Sequence, residues 1–353
     1  MNKLKKKNIL IYFLPLIIFL SSILFFRDIL NENENLNLEK IDPNFLYSYK
    51  FIDELVQYPL HFKNITKDED IQILNNNILV KLSNIDFLNL DFKILNNEKI
   101  LANTDLPILK VDFLIDNKKH SSFAYGKRTN KKKAILIIPG SGFNQSSKIY
   151  LEEKLNYQYG LKTKLKDNYD VYVFIKPNED YLAFHNKKNK LSSHMIHNWH
   201  INNGGSYSFS YIMQSIAFSE YLKKEYTTTV VAGLSQGGEA AFLNSIYSKP
   251  DYTIISSGFS FRHLQNVAAD LEQILIPNNI LYNLKNLKNL MKENNKTKFF
   301  FSWGKNETDS YYLETQDFYT CNIFKNIVEN EVKCYSGSGH EYLPNKVQKF
   351  LNE

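Results

Sequence analysis

From about residue 107 onward, short apolar runs alternate with longer amphipathic stretches, and this alternation constrains the fold more than any other feature of the chain. Short apolar runs are typical of buried strands, and the stretches between them can form the helices of βαβ units. The pattern predicts an α/β fold with a mostly parallel central sheet and helices on both faces. The predicted strands are 109–115, 134–138, 170–175, 228–232, 252–256, 297–302 and 331–335, and the predicted helices are 146–160, 207–225, 236–248, 262–275, 281–293, 311–328 and 343–352.

The N-terminal region predicts a membrane anchor. Residues 9–26 form an 18-residue run without a charged side chain, and a helix of this length spans about 27 Å, close to the hydrocarbon thickness of a bilayer. Lysines 3, 5, 6 and 7 precede the run and only Arg27 follows it. The positive-inside rule therefore predicts a single-pass signal anchor within 1–30, with a cytoplasmic N-terminus and an extracytoplasmic body. A cleaved signal peptide and a secreted body are the alternative.

The remainder of the chain divides by composition. Residues 31–40 are polar and repetitive, as expected of a linker, whereas 41–106 mix helical and strand-like patterns and form an N-terminal segment of uncertain role. The α/β domain covers 107–353. The formal net charge is +6, but the residues after the predicted anchor are close to neutral, which argues against nucleic acid as a partner.

The two cysteines, Cys321 and Cys334, lie 13 positions apart. A disulfide between them would contribute about 3 kcal/mol in the chain-entropy model and would suit an oxidising compartment. Two buried free thiols are the other interpretation, because cysteine is among the most buried residue types. Neither interpretation implies a metal site.

Glycine is scarce and unevenly distributed. Ten of the 13 glycines lie in five short segments, and four of these segments begin at the carboxyl end of a predicted strand. Ligands bind at that edge of open α/β sheets, so the concentration indicates one shared site. The ten are Gly140, Gly142, Gly204, Gly205, Gly233, Gly237, Gly238, Gly304, Gly337 and Gly339.

The segment Gly233-Leu234-Ser235-Gln236-Gly237 follows a β-branched run and precedes a predicted helix of small residues. A G-x-S-x-G sequence in this context is typical of a nucleophile elbow, a strained turn that exposes the serine hydroxyl above the sheet. The Gln236 N–H, at the start of the helix, would point at a developing oxyanion.

On this motif, residues 107–353 resemble the α/β-hydrolase superfamily of serine esterases, in which the nucleophile, the acid and the histidine follow one another along the chain. The resemblance implies the α/β-hydrolase fold and a catalytic triad without a cofactor. Ser235 matches the nucleophile, and His340, after the last predicted strand, matches the terminal histidine. Glu307 occupies the place of the acid after strand 297–302, with Asp309 as the second candidate.

The segment Pro139-Gly140-Ser141-Gly142, after strand 134–138, resembles the loop that supplies the second oxyanion donor in this family. Pro139 stands where many members have histidine. The Ser141 N–H is the first candidate for the donor, and the Gly142 N–H is the second.

Three histidines at three-residue spacing, His194, His197 and His200, form the main competing chemical signal, with Asp180 and His185 nearby. They could bind zinc. Their surroundings are polar and irregular, so we favour a substrate-lining loop over 178–205, to which His197, Trp199 and His200 contribute, and no metal site.

These features predict a membrane-anchored serine hydrolase of carboxylic esters, whose substrate is a small-molecule or glycan ester. A short acyl group on a sugar fits the polar loop 178–205 better than a lipid does. The alternatives are a peptidase with the same triad, a catalytically silent anchored binding protein that kept the fold, and a zinc enzyme that uses His194, His197 and His200.

Overall fold

Nine strands form one sheet within the part of the chain that the computed structural model describes, in the order β1-β2-β3-β5-β4-β6-β7-β8-β9. The described residues are 92–100, 107–115, 118–141, 145–155, 157–176, 207–258, 291, 294, 296–304 and 314–353. The strands are β1 (Phe92–Ile100), β2 (Ile108–Ile115), β3 (Lys118–Tyr125), β4 (Lys133–Ile138), β5 (Asp170–Phe174), β6 (Thr228–Leu234), β7 (Tyr252–Ser256), β8 (Lys298–Gly304) and β9 (Val332–Gly337). The helices are α1 (Gln145–Leu151), α2 (Gly160–Leu165), α3 (Tyr207–Glu225), α4 (Gln236–Tyr247), α5 (Glu314–Ile327) and α6 (Pro344–Asn352).

The sheet is parallel from β5 to β9 and antiparallel at its other end. Strand β4 pairs with β5 and β6, and β6, β7, β8 and β9 follow in parallel register. Strands β1, β2 and β3 form antiparallel pairs, and β3 joins the parallel part through a short antiparallel pairing with β5. The predicted mostly parallel sheet is confirmed, with an antiparallel extension that includes Phe92–Ile100 from the segment 41–106.

Each central strand contributes side chains to two hydrophobic cores, one on either face of the sheet. Leu136 and Val231 belong to the core that α3, α4 and α5 cover. Ile137 and Ala232 face the other core, which α1, α2 and α6 cover. Burial on both faces explains why these strands are nearly continuous apolar runs, and it confirms the predicted helices on both faces.

One sequence expectation about secondary structure is wrong, and one strand lies where none was expected. The predicted helix 146–160 is two short helices, because α1 ends at Leu151 and α2 begins at Gly160; between them Tyr157 has a positive φ of 50°, which a continuous helix does not allow. Strand β3 was not predicted, because its sequence is polar. Two of its hydroxyl groups have partners that the fold supplies: Ser121 donates to Asp112 on β2 at 2.6 Å, and Ser122 donates to the Gln214 carbonyl on α3 at 2.7 Å.

Cys321 and Cys334 form a disulfide, which joins α5 to β9 with a Cα–Cα distance of 6.3 Å. Of the two interpretations of these cysteines, the structure therefore supports the disulfide.

None of the helices in the described part of the chain combines the length and the apolar character that a membrane span requires. The predicted anchor 9–26, the linker 31–40 and the predicted helices 262–275 and 281–293, except Met291 in the last, lie outside them.

Candidate active site

Ser235 occupies the turn between β6 and α4, at the carboxyl edge of the sheet. Its backbone has φ 56° and ψ −127°, a conformation that side chains with a Cβ rarely adopt and that costs of the order of 1–3 kcal/mol. The neighbouring strand and the helix hold it in place: the Ser235 N–H donates to the Ser256 carbonyl at 3.0 Å, and the Ser235 carbonyl accepts from the Gly238 N–H at 2.8 Å. The turn therefore has the strained geometry of a nucleophile elbow.

Gly233 and Gly237 allow this turn to close. A Cβ on Gly233 would lie 1.8 Å from the Gly237 carbonyl oxygen, and a Cβ on Gly237 would lie 2.1 Å from the carbonyl oxygen of Ile138, at the end of β4. No larger residue fits either position without moving backbone. The sequence pattern G-x-S-x-G thus corresponds to a physical requirement, since the helix must start directly beside the strand that precedes it.

The loop after β4 lies against the serine. A Cβ on Gly140 would be 3.2 Å from the Cβ of Ser235. Two buried side chains hold Gly140: its N–H donates to Oε1 of Gln158 at 2.7 Å, and its carbonyl accepts from Nζ of Lys176 at 2.6 Å. The next residue, Ser141, is exposed, and its N–H shares a planar peptide group with the Gly140 carbonyl that Lys176 holds.

Gln236 begins α4, and an α-helix offers no intrahelical acceptor to the N–H groups of its first turn. The positive end of the helix dipole also lies there. Tyr211 on α3 donates its hydroxyl to the Gln236 carbonyl at 2.6 Å, and Lys176 donates to Oε1 of the Gln236 side chain at 3.3 Å. The first residue of the helix is thus held through both its main chain and its side chain.

His340 lies in the loop after β9, at the same edge of the sheet. Strand β8 approaches this loop closely, since a Cβ on Gly304 would lie 2.5 Å from the Gly339 carbonyl. The His340 ring is 6.1 Å from the ring of Tyr157, and the Tyr342 N–H donates to the Tyr157 carbonyl at 3.4 Å. Burial raises the pKa of the Tyr157 hydroxyl, and a hydrogen bond with Gln158 partly offsets that shift.

The segment 157–158 connects the loop of His340 to the Gly140 loop beside Ser235. Tyr157 contacts His340, while its neighbour Gln158 holds the Gly140 loop that lies against Ser235. The structure therefore brings Ser235, Gln236, Ser141 and His340 to the carboxyl edge of the sheet.

The other predicted site residues lie outside the described residues. They are the candidate acids Glu307 and Asp309, the second oxyanion candidate Gly142, the loop residues His197, Trp199 and His200, and His194 of the alternative zinc site. In the described part of the chain, no group of three or more histidine, cysteine, aspartate or glutamate side chains could hold a metal ion.

Sequence reasoning missed Gln158, Lys176, Tyr157 and Tyr211. Each is a common residue type with no local motif, and its partner in the site is distant along the chain. The position of Lys176 two residues after the end of β5, at the ligand-binding edge, is the one signal that could have singled it out.

The described residues combine a mostly parallel sheet, helices on both faces, a serine elbow after a central strand and a histidine after the last strand. This is the α/β-hydrolase fold.

Other proteins of this fold show a low similarity to the chain. A carbohydrate esterase family 15 glucuronoyl esterase from Caldicellulosiruptor kristjansonii has 12% identity and a TM-score of 0.44, over 82% of this chain and 85% of that one. A lipase/esterase from Lactobacillus plantarum has 10% identity and a TM-score of 0.43, over 75% and 97%. A Pyrococcus furiosus esterase has 14% identity and a TM-score of 0.40, over 78% and 95%. No protein-family model and no curated protein matches the sequence.

Proposed function

We propose that this α/β-hydrolase is a serine hydrolase that cleaves carboxylic esters through an acyl-enzyme. The observation that carries the proposal is the strained elbow at Ser235, which is packed against Gly140 and followed directly by the N-terminus of α4. A turn that only connected a strand to a helix would not need this backbone conformation, and strain of this kind clusters at functional sites.

In the acylation step, Oγ of Ser235 attacks the ester carbonyl carbon while a nitrogen of His340 takes the hydroxyl proton. The tetrahedral intermediate then breaks the bond to the alcohol oxygen, and His340 returns the proton to that oxygen. The products are the free alcohol and an ester between the acyl group and Ser235.

In the deacylation step, water attacks the acyl carbon while His340 takes a proton from the water and then delivers it to Oγ of Ser235. Both tetrahedral intermediates carry a negative charge on the former carbonyl oxygen. The N–H groups of Gln236 and Ser141 are our candidates for stabilising that charge, with Gly142 as the second choice for the latter.

A carboxylate must hold the His340 tautomer and stabilise the imidazolium. Glu307 is our first candidate and Asp309 the second, from their places after β8. We expect Glu307→Gln to lower kcat by about 10²-fold or more, and Asp309→Asn to lower it less. Steady-state kinetics of the two purified variants decide between them, and the reverse ranking would assign the acid to Asp309.

Labelling with a fluorophosphonate probe tests the reaction class. We expect stoichiometric labelling of the purified body, located on Ser235 by peptide mass spectrometry, and no effect of a chelator on labelling or on ester turnover. Turnover that a chelator abolishes, without labelling, would support the zinc enzyme instead. An absence of both labelling and turnover would support the silent binding protein, and efficient cleavage of peptide amides would support the peptidase.

For the substrate, we propose a short acyl ester on a small molecule or a sugar, because the loop 178–205 is rich in Asn, His, Ser and Lys. Residues His197, Trp199 and His200 are the side chains we propose for contact with it. A comparison of p-nitrophenyl acetate, p-nitrophenyl palmitate and an acetylated sugar tests this choice. A preference for the palmitate ester would contradict it.

We further propose that residues 9–26 anchor the protein in a membrane and that the catalytic body is extracytoplasmic. The lysine distribution supports this orientation, and the Cys321–Cys334 disulfide suits an oxidising compartment. In intact cells or spheroplasts, added protease should digest the body, and a reporter fused after Glu353 should behave as exported. A body that is protected until lysis, with a C-terminal reporter active only in the cytoplasm, would refute the orientation.

A further inference from the structure

A buried lysine that the proposed mechanism does not use connects both arms of the candidate oxyanion site. Lys176 follows β5 and is only 4% exposed. Its ammonium donates to the Gly140 carbonyl at 2.6 Å and to Oε1 of Gln236 at 3.3 Å. The first contact lies in the loop after β4 and the second on the first residue of α4, so one side chain connects the two segments that carry the candidate donors.

The contact with Gly140 fixes the direction of the Ser141 N–H. The Gly140 carbonyl and the Ser141 N–H belong to the same planar peptide group. In a trans peptide they point in opposite directions, so a carbonyl held by Lys176 directs the N–H away from the lysine. Gln158 holds the preceding N–H at 2.7 Å, and the peptide group therefore cannot rotate freely about its neighbours.

The charge of the lysine adds to this geometric effect. A cation bonded to a carbonyl oxygen draws electron density toward that oxygen, and polarised hydrogen-bonding groups strengthen one another in a low-dielectric environment. The N–H at the other end of the peptide becomes a stronger donor. Such a donor matters most when a full negative charge develops, that is, in the transition state.

We propose that Lys176 is a positioning residue that orients and polarises the Ser141 peptide for the oxyanion. The inference rests on the proposed serine hydrolase and deepens it: Lys176 does not touch the substrate but acts through the Gly140–Ser141 peptide. It predicts that loss of the charge impairs the chemical step rather than substrate binding.

The test compares Lys176→Met, which removes the donor and the charge, with Lys176→Gln, which keeps a neutral donor. The substrates are p-nitrophenyl acetate and the matching thionoester, whose sulfur replaces the carbonyl oxygen and accepts hydrogen bonds weakly. We expect Lys176→Met to lower kcat for the oxygen ester by about 10²-fold with little change in KM. The thionoester should lose less than about 5-fold, because its sulfur gains little from the donor. Lys176→Gln should fall between wild type and Lys176→Met.

Lys131→Met is the matched control, because Lys131 likewise connects two segments through its ammonium, which donates to the carbonyls of Lys166 at 2.6 Å and Tyr169 at 3.2 Å, but at the opposite edge of the sheet. It should leave the ratio of oxygen-ester to thionoester turnover unchanged.

Equal losses for both esters in Lys176→Met, or no loss of kcat, would overturn the proposal. Should Lys176→Met not fold, Lys176→Gln decides by the same ratio. A Ser235→Ala variant with full activity would instead overturn the proposed hydrolase itself, so the two failures are distinguishable.

Discussion

The two edges of the parallel sheet both carry buried polar side chains, but the backbone is strained at the carboxyl edge and the hydrogen bonds are well satisfied at the amino edge. At the carboxyl edge, Ser235 has a strained backbone. At the amino edge, Asp170 is 2% exposed and accepts hydrogen bonds from the Thr129 N–H at 2.7 Å, the Thr129 hydroxyl at 2.5 Å and the Tyr226 hydroxyl at 2.8 Å. The carboxyl edge thus holds a serine hydroxyl on a strained backbone. The amino edge instead holds a buried carboxylate that accepts three hydrogen bonds.

A lysine at each edge makes the contrast specific. Each of Lys131 and Lys176 joins two segments of the chain by hydrogen bonds from its ammonium. Lys131 joins the end of α2 to the start of β5, which is a structural connection. Lys176 joins the two segments beside Ser235. The same kind of lysine hydrogen bond therefore supports stability at one edge and, in our proposal, chemistry at the other. Removing a functional group at the carboxyl edge should therefore change turnover, whereas substitutions at the amino edge should change stability and leave turnover nearly unchanged.

The largest expected effect is at Ser235. Both Ser235→Ala and Ser235→Gly should lower ester turnover by about 10⁴-fold or more, because neither retains a nucleophile. Only glycine relieves the positive φ, so Ser235→Gly should raise the free energy of unfolding by about 1 kcal/mol while Ser235→Ala leaves it nearly unchanged. Urea unfolding of wild type and the two variants measures these free energies. Equal stability of Ser235→Ala and Ser235→Gly would show that the turn is not strained.

A smaller effect is expected from a methyl group at Gly233. Gly233→Ala should lower the free energy of unfolding by about 3 kcal/mol, because the new Cβ would overlap the Gly237 carbonyl and force the backbone to move. Gly339→Ala is the control, since a Cβ there has no neighbour within 4 Å, and it should be nearly neutral in thermal unfolding. Equal losses for the two variants would contradict the close approach at the elbow.

At the amino edge, Asp170→Asn should lower the free energy of unfolding by about 2–3 kcal/mol, because one of its oxygens becomes a donor that faces other donors. The kcat of the folded fraction should stay within about twofold of wild type. Asp251 accepts from the Thr229 N–H and hydroxyl in the same way but is exposed, so Asp251→Asn should lose less than about 1 kcal/mol. A large loss of kcat in Asp170→Asn would contradict the view that the amino edge supports stability and not turnover.

The smallest effect at neutral pH is expected from Tyr169→Phe. The Tyr169 hydroxyl is buried and has no hydrogen-bond partner among the described residues, so its removal should change stability by less than about 1 kcal/mol. Burial, with a smaller contribution from Tyr252, raises the pKa of Tyr169 to about 12. The unfolded chain therefore loses this proton first, and wild type should lose stability from about pH 10 to 12. Denaturant titrations over that range should show a shallower loss in the variant.

Local patterns predicted the parts of the fold that depend on neighbouring residues. The elbow follows from a β-branched run and two glycines within five positions, and α3 lies where the pattern placed it, at Tyr207–Glu225. Strand β3 could not be predicted, because Ser121 and Ser122 are satisfied by Asp112 and Gln214, which only the fold brings near.

The same limit applies to the site. Ser235 and His340 carry local motifs, and the structure places both at the carboxyl edge. Gln158 and Lys176 carry none, because their contacts with Gly140 arise only after β4, β5 and the loop between α1 and α2 have assembled.

The order of strands in the sheet also bears on how the protein must be made. Strand β4 lies between β5 and β6, both of which follow it in the chain, and the antiparallel hairpin β2–β3 can form well before either. During synthesis the apolar strand β4 therefore emerges with neither partner available, and its pairing with β6 has to wait for the whole of α3. Sheets with such non-local pairings fold slowly and expose unpaired strands to aggregation. A nascent chain released before β6 has been synthesised would be an aggregation-prone fragment. We therefore expect chaperone protection to matter most between the synthesis of β4 and that of β6.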